Sequence, residues 1–589
     1  MNITETISKH FEKIFEKLGY DKSLAKVVFS GRPEMCDFQL NACFALAKQV
    51  GKNPLEIAKQ IAAEANCDDY SVVACPPAFV NINLTPKKWS QIATDMLVEE
   101  NCGAQKTAHP LNILIDYGGA NVAKELHIGH LRSAIIGESL KRLYKLLGNN
   151  VVSDSHLGDW GMQMGLTIAQ LEEDGVLDFY FKHKGTEPTI TLDMLNVAYP
   201  KASGRKKTDP VFKKKADDYT LFVQNKKEPY WTIYNKIREI SVAKIAENYK
   251  KLNCYFDLWY GESNAAPFID ETVQLFVDKG LTRVSDGALV VDVAREGEHV
   301  PIPKKDPNDP NEKQLYKNPM PPAIIKKSND GDLYATTDLA TILMRNRQLK
   351  LDEIDYVVDK RQSTHFEQVF RCAKMSGISP EGQKLLHIGY GTMNGKDGKP
   401  FKTREGTTVK LEDVIHLLTS TANDRLEQND IFGNEELALQ IGVAAMKFGD
   451  LSNQISKDYV FDLDRFLSFE GKTGPFLQYT AARIKSLILK AGDFDEHISI
   501  ETKAEQNIVR DCLKLLSSYE IAFDERSLSA ITVAAYNLAS SYSSLYASTR
   551  ILSETNTERR NSLLTLSKVV LLQLSQALYI LGIDVPERM

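Results

Sequence analysis

Lys124-Glu125-Leu126-His127-Ile128-Gly129-His130 is the stretch on which the fold turns. Before it runs Ile113-Leu114-Ile115-Asp116-Tyr117, apolar and strand-like, followed by the turn pair Gly118-Gly119. After it comes Leu131-Arg132-Ser133-Ala134-Ile135-Ile136-Gly137, which reads as a helix. Strand, glycine turn and helix in that order are the start of a parallel α/β unit. The first turn of such a helix presents unpaired backbone N–H groups, and its dipole end attracts anions. Two imidazoles and a preceding lysine add donors and positive charge at that end. The arrangement suits a nucleoside triphosphate. Gly129 lets a flat base approach the backbone, and Lys124, His127 and His130 meet the phosphates.

Two plainer readings compete. A helical metal pair takes i, i+4 spacing and a third ligand nearby. Here the spacing is i, i+3 and no cysteine lies close, so no metal site is expected. Ordinary surface histidines at a helix start are the other alternative. The flanking strand, the Gly-Gly turn and Lys124 speak against it.

At 589 residues the chain should hold several domains, because single cores stop growing near ~250–300 residues. Apolar content of 43% with 25% charged residues excludes a disordered or fibrous chain. Eight cysteines stand scattered without a C-x-x-C pair, which argues against a zinc ribbon and a disulfide framework. The polar stretch Met1-Asn2-Ile3-Thr4-Glu5 reads as the start of a helix and not as a signal peptide. The longest apolar run, residues 569–583, carries Gln573, Ser575 and Gln576 and reads as a core helix. A cytoplasmic protein with no membrane partner, and a monomer, is expected. The net charge of −6 means that any nucleic-acid contact must use local basic patches.

Residues 1–105 read as a small α+β domain, with helices at 3–18, 41–50 and after Asn53-Pro54, and strands at 71–73 and 78–84. Residues 106–450 alternate strands and helices, which predicts a Rossmann-like parallel sheet. Its strands fall at 112–117, 151–155, 354–358 and 386–391. A basic, proline-containing insertion interrupts it at about 165–325, with seven Lys/Arg between Lys201 and Lys215. Those charges read first as solvated faces. Residues 451–589 read as all-helical. Such a bundle is a structural cap or an RNA reader, for which Tyr536, Tyr542 and Tyr546 offer flat surfaces.

A second basic loop follows the strand at 386–391. It reads Met393-Asn394-Gly395-Lys396-Asp397-Gly398-Lys399-Pro400-Phe401-Lys402-Thr403-Arg404-Glu405-Gly406. Alone it is a solvated hairpin. Paired with the distant His-Ile-Gly-His segment, it resembles the second signature of class I aminoacyl-tRNA synthetases. The resemblance narrows to the arginyl-tRNA synthetases over essentially the whole chain. It is carried by Asn121-Val122-Ala123-Lys124, His156-Leu157-Gly158-Asp159-Trp160-Gly161, Tyr334-Ala335-Thr336-Thr337-Asp338-Leu339-Ala340 and the run from Leu467 to Tyr479. In place of the usual K-M-S-K-S stands Phe401-Lys402-Thr403-Arg404-Glu405. The resemblance implies that Lys124 makes up for the missing lysine.

The family then implies ATP-dependent joining of L-arginine to tRNA(Arg) through an arginyl-adenylate. Magnesium would enter with ATP as substrate, with no resident cofactor or structural metal. Lys124, His127, His130, Lys402 and Arg404 would be catalytic, and His127, Gly129, His130 and Lys402 would hold ATP. Arginine would be held by Asp116, Asn121, His127, Tyr334, Asp338 and Gln362. Asp338 can accept two parallel guanidinium bonds, and Tyr334 lies one helical turn before it. Alone, Asp338 would as readily be a surface carboxylate paired with Arg345. Tyr542 and Tyr546 would touch tRNA, the last domain would read the anticodon side, and the first domain would touch the elbow. Two rivals remain: a class I ligase for another amino acid, and a non-catalytic tRNA-binding relative.

Overall fold

Ile3, Ile7, Phe11, Ile14 and Phe15 recur at helical spacing and form the buried face of the first helix, Ile3–Leu18. Asn2 caps it by accepting from the Glu5 N–H, and Gly19 ends it in the left-handed conformation, φ 73°. In the computed structural model, residues 2–183, 185–295, 297–298, 300–301, 316–317, 320–327, 334–395, 398, 409–428 and 434–589 are described. The first helix packs with Cys43–Val50, Pro54–Ala65 and Pro86–Val98 around an antiparallel sheet. Its strand order is Val27–Phe29, Phe38–Leu40, Phe79–Leu84, Tyr70–Cys75. The two short strands, Val27–Phe29 at the edge and Phe38–Leu40 beside it, are additions to the predicted pattern.

The second sheet is wholly parallel, in the order Lys384–Tyr390, Glu353–Asp359, Asn112–Asp116, Asn150–Asp154. Its central strands are nearly continuous buried runs, as parallel strands covered on both faces must be. The chain leaves the central strand Asn112–Asp116 toward one edge and returns on its other side at Glu353–Asp359. That reversal opens a crevice at the strands' C-terminal ends, where ligands of open α/β sheets bind. Asp116 is in register there with Asp154 on one side and Tyr356 on the other.

The helix Ile128–Leu146 starts at this crevice and is buried almost all round. Its buried charges are paired. Arg132 donates to Asp450 at 2.9 Å, and Glu138 accepts from Arg142 at 2.7 Å and from the Tyr117 hydroxyl at 2.7 Å. Between the second and third strands lie the helices Met162–Glu173, Leu192–Arg205, Pro210–Gln224 and Tyr230–Lys251, and a small antiparallel sheet. Three of the seven basic residues of this run are paired: Lys201 with Asp174, Arg205 with Glu173 and Asp209, Lys215 with Glu172.

Gly474–Ala491, Lys503–Glu525, Ser529–Ser548 and Thr557–Ile580 form the closing helical domain. Thr557–Ile580 is long and apolar enough to cross a membrane, but 67% of its apolar window is buried within the protein. It also buries Asn561, Thr565, Ser567 and Gln573, as a core helix does.

Candidate active site

His127 is the N-cap of the helix Ile128–Leu146, in extended backbone. Its Nδ1 accepts from the Gly129 N–H at 3.1 Å, and Nδ1 of His130 accepts from the His127 N–H at 3.1 Å. The two rings lie 3.9 Å apart. A ring nitrogen that accepts a backbone N–H carries no proton, so the proton of each neutral ring sits on Nε2. Burial, then Lys124, lowers the pKa of His127; burial, then His127, pushes that of His130 down to about 3. At pH 7 both rings are therefore neutral, each with an Nε2–H to donate. Gly129 has a more local reason than access for a base. A Cβ there would lie 2.8 Å from Cε1 of His127 and dislodge the cap.

The chain that leaves the second signature loop returns to this spot. The Ile128 N–H donates to Val409 O at 3.0 Å and the Leu411 N–H to Leu126 O at 2.9 Å. Lys402 and Arg404 lie outside the described residues, but Val409 to Leu411 pair beside His127. Lys124 points toward the insertion. Its Nζ lies 4.8 Å from the ring centre of Tyr199, on the helix Leu192–Arg205.

Under the histidines is a cavity of about 200 Å³. Asp338 stands in its wall with His130, Ser133, His156, Tyr356 and Phe366. Asp338 is half-buried and meets Nε2 of His365 at 2.5 Å. It does not pair with Arg345. That fully buried guanidinium donates to Asp116 and Asp154, each at 2.6 Å. This corrects the expectation for Asp116. Its side chain reaches the cavity wall, but its charge is committed to Arg345, leaving Asp338 as the carboxylate offered to a ligand. Burial raises the pKa of Asp116 against the pull of Arg345. Burial is outweighed at Asp154, where Arg345 and His156 hold the pKa well below the usual range. Asp116, Asp154 and His156 cluster as metal ligands could, yet Arg345 already supplies the cation between the two carboxylates.

Other expected residues sit apart. Asn121 is exposed and bridges the backbone of Gly158. Gln362 is exposed in the short turn Lys360–Gln362 and does not line the cavity. Tyr334 begins the helix Tyr334–Gln348; its side chain lies outside the described residues. Tyr542 is a correction: it is fully buried, with its hydroxyl on Ser567 Oγ at 3.0 Å, and has no face to offer RNA. Tyr546 is half-buried. Arg483 lies over its ring at 5.2 Å and over that of Tyr479 at 4.4 Å.

His156, Thr341, Tyr356, Phe366 and Tyr390 line the cavity without having been singled out as binding residues. Three of them belong to strand ends: Tyr356 and Tyr390 are in strands of the sheet, and His156 follows Asn150–Asp154 by two residues. The rule that ligands sit beyond the C-terminal ends of parallel strands was the available signal.

Comparison with known proteins agrees with this geometry. The family described as tRNA synthetases class I (R), catalytic domain, matches residues 92–463. The DALR anticodon binding domain matches residues 477–589, and the arginyl tRNA synthetase N terminal domain matches residues 1–84. An arginine--tRNA ligase of Agathobacter rectalis is 40% identical, over 99% of both chains. One of Alkaliphilus oremlandii is 40% identical over the full length of both. The crystal structure of the arginyl-tRNA synthetase of Plasmodium falciparum superposes with a TM-score of 0.78 at 24% identity, covering 100% of this chain and 99% of that one. That of Thermus thermophilus gives 0.77 at 22%, covering 100% of both. With a catalytic-domain match over more than half its length and relatives at 40% identity end to end, the chain belongs to the class I arginyl-tRNA synthetases.

Proposed function

We propose that the chain attaches L-arginine to tRNA(Arg) at the expense of ATP, in two steps. In the first, a carboxylate oxygen of arginine attacks the α-phosphorus of ATP, and the bond to pyrophosphate breaks. In the second, the 2′-hydroxyl of the terminal adenosine attacks the carbonyl carbon of the adenylate. AMP leaves and the hydroxyl proton passes to solvent. The substrates supply both nucleophiles, so the protein's work is positioning and charge stabilisation.

The observation that carries this reading is the juxtaposition of two neutral imidazole donors at a helix N-terminus with the carboxylate of Asp338, which meets His365 and, among the described residues, no arginine, in the cavity that His130 also lines. The Nε2–H groups of His127 and His130 would meet phosphoryl oxygens, and Lys124, Lys402 and Arg404 would add mobile positive charge. Asp338 would take the guanidinium, displacing His365 from its carboxylate. Magnesium would come with ATP as part of that substrate. The Tyr479–Arg483–Tyr546 stack would receive an anticodon base, since aromatic faces and guanidinium planes suit unpaired bases. A non-catalytic relative has no need of reciprocally capped histidines, and a ligase for a neutral amino acid has no use for Asp338.

The test is aminoacylation of total tRNA with each of the twenty amino acids and ATP. Esterification of arginine alone is expected. Charging of another amino acid, or none with active controls, would overturn the proposal.

A further inference from the structure

His156 opens the motif His156-Leu157-Gly158-Asp159-Trp160-Gly161 and lines the same cavity as Asp338. Its side chain is 13% exposed. The backbone around it is fixed on both sides. The Ser155 N–H donates to Leu258 O at 3.1 Å and the Leu157 N–H to Tyr260 O at 2.8 Å. Gly119 packs so closely that a Cβ there would lie 2.5 Å from the His156 carbonyl oxygen.

Both ring nitrogens of His156 face oxygens that can only accept. Nε2 lies 3.4 Å from Thr341 Oγ1. That hydroxyl has one hydrogen, and it goes to Thr337 O at the shorter distance of 2.9 Å. Thr341 is left to accept, so Nε2 carries a proton. Nδ1 lies 3.5 Å from Oδ2 of the fully buried Asp154 and has no hydrogen-bond partner among the described residues. A bare lone pair turned toward a carboxylate repels it, so Nδ1 carries a proton as well. A ring with both protons is an imidazolium. Burial opposes that charge, but Asp154, and after it Asp116, raise the pKa of His156 above its ordinary value.

Arg345 is the other cation beside these acids. It reaches Asp116 and Asp154 through one nitrogen, Nη2, at 2.6 Å to each. One guanidinium balances one carboxylate, and His156 balances the second. The part of the wall built by Asp116, Asp154, Arg345 and His156 is then neutral. The charge that the cavity shows an incoming ligand is that of Asp338. His130 is neutral, and burial raises the pKa values of Tyr117, Tyr356 and Tyr390, so the other titratable groups of the wall add no charge. Glu262, whose pKa burial raises and His156 lowers, does not line the cavity.

Asp116 reaches the cavity too. Without the imidazolium, Asp116 and Asp154 would carry one uncompensated negative charge, and a guanidinium would have two places to go. We propose that His156 is a positioning residue for the reaction. Its charge completes the neutralisation of Asp116 and Asp154 that Arg345 begins, so that the guanidinium of arginine enters at Asp338 alone and the carboxylate arrives at the α-phosphorus. This rests on the ligase reading above and adds the residue that sets the register of its amino acid.

The test is a cycle of charge changes, read by calorimetric titration of arginine and by turnover in charging tRNA(Arg) at saturating substrates. His156→Gln keeps an amide donor and removes the charge. Its Kd for arginine should equal the wild-type value or fall below it, because the cavity turns more negative. Its turnover should drop about ten- to hundredfold, as a misplacement of about 1 Å demands. Adding Asp154→Asn to His156→Gln restores neutrality and should bring turnover back to within about fivefold of wild type, since the two sites share one interaction. Asp154→Asn alone gives the wall a net positive charge and should raise the Kd for arginine about threefold or more. A purely structural role predicts instead a weaker Kd in His156→Gln and a further loss in the double variant. A higher Kd in His156→Gln, a turnover loss that the second substitution does not reverse, or an unchanged Kd in Asp154→Asn would each overturn the proposal. Wild-type charging with arginine is measured alongside. Its failure would count against the ligase reading, whereas the Kd comparisons are read from binding alone.

Discussion

At Asp338 a half-buried carboxylate faces a cavity in which the neighbouring acid, Asp116, is already bound to Arg345. Its contact in the free protein is His365. An arginine side chain offers two parallel N–H donors to one carboxylate, and alanine offers nothing in return. Hydrogen bonds to charged groups contribute about 1.5–3 kcal/mol. Asp338→Ala should therefore raise the Kd for arginine by roughly ten- to 150-fold, while ATP affinity stays as in the wild type. Calorimetric titration of each substrate checks both halves. Wild-type affinity for arginine would remove Asp338 from the site, and a parallel loss of ATP binding would show a collapsed crevice instead. The histidines above it act without net charge. Their Nδ1 atoms are spent on capping, so replacing either one removes a phosphate donor and loosens the helix start together.

The segment that joins the first sheet strand to the helix Ile128–Leu146 carries Lys124, and the insertion helix Leu192–Arg205 holds that lysine through the Tyr199 ring. If Lys124 serves ATP, it must leave Tyr199 when the site closes. Lys124→Ala should then cut turnover at saturating ATP and arginine by more than about tenfold, or about 1.4 kcal/mol in barrier. Tyr199→Phe, which keeps the ring face, should leave turnover unchanged. Activity of Lys124→Ala within twofold of wild type would sink the compensation. Elements of this kind were legible in advance where local chemistry marks them. The helix Ile3–Leu18 announces itself by spacing and caps, and the four parallel strands by apolar runs near the predicted positions. What could not be read are partnerships made across the chain. Val27–Phe29 and Phe38–Leu40 are three residues each and exist through pairing toward Phe79–Leu84. Arg345 meets Asp116 from 229 residues away. Tyr542 and Tyr546 lie one turn apart on the serine- and alanine-rich helix Ser529–Ser548, and its sequence did not say which of them faces inward.

Across the whole molecule the domains are joined by charges taken out of water. Asp37 of the first domain pairs with Arg510, which also lies over Trp89, so removing residues 1–105 would take away both the carboxylate and the ring that meet this guanidinium. At the other junction Arg526 ends the helix Lys503–Glu525 in the left-handed conformation, φ 53°, and reaches the sheet strand Glu353–Asp359. It pairs with Glu353 and lies 3.6 Å from Asp355, which accepts from the Tyr144 hydroxyl at 2.8 Å. Two buried carboxylates share one guanidinium here. Asp355 is pushed up to about 8, first by burial and then by Glu353, with Arg526 opposing. In the unfolded chain its proton leaves near pH 3.9. Between those values the folded protein holds a proton that the unfolded chain has lost. The contribution of this group to stability is therefore whole below about pH 4 and declines as the pH rises to about 8. Asp355→Asn keeps the shape, still accepts from Tyr144 and carries no charge at any pH. Its melting temperature should lie close to that of wild type at pH 4 and exceed it at pH 8.5 by about 2 °C or more. Thermal unfolding followed by circular dichroism at the two pH values decides it. A variant that loses stability equally at both would show that the ionised carboxylate, not its proton, holds the helical domain to the sheet.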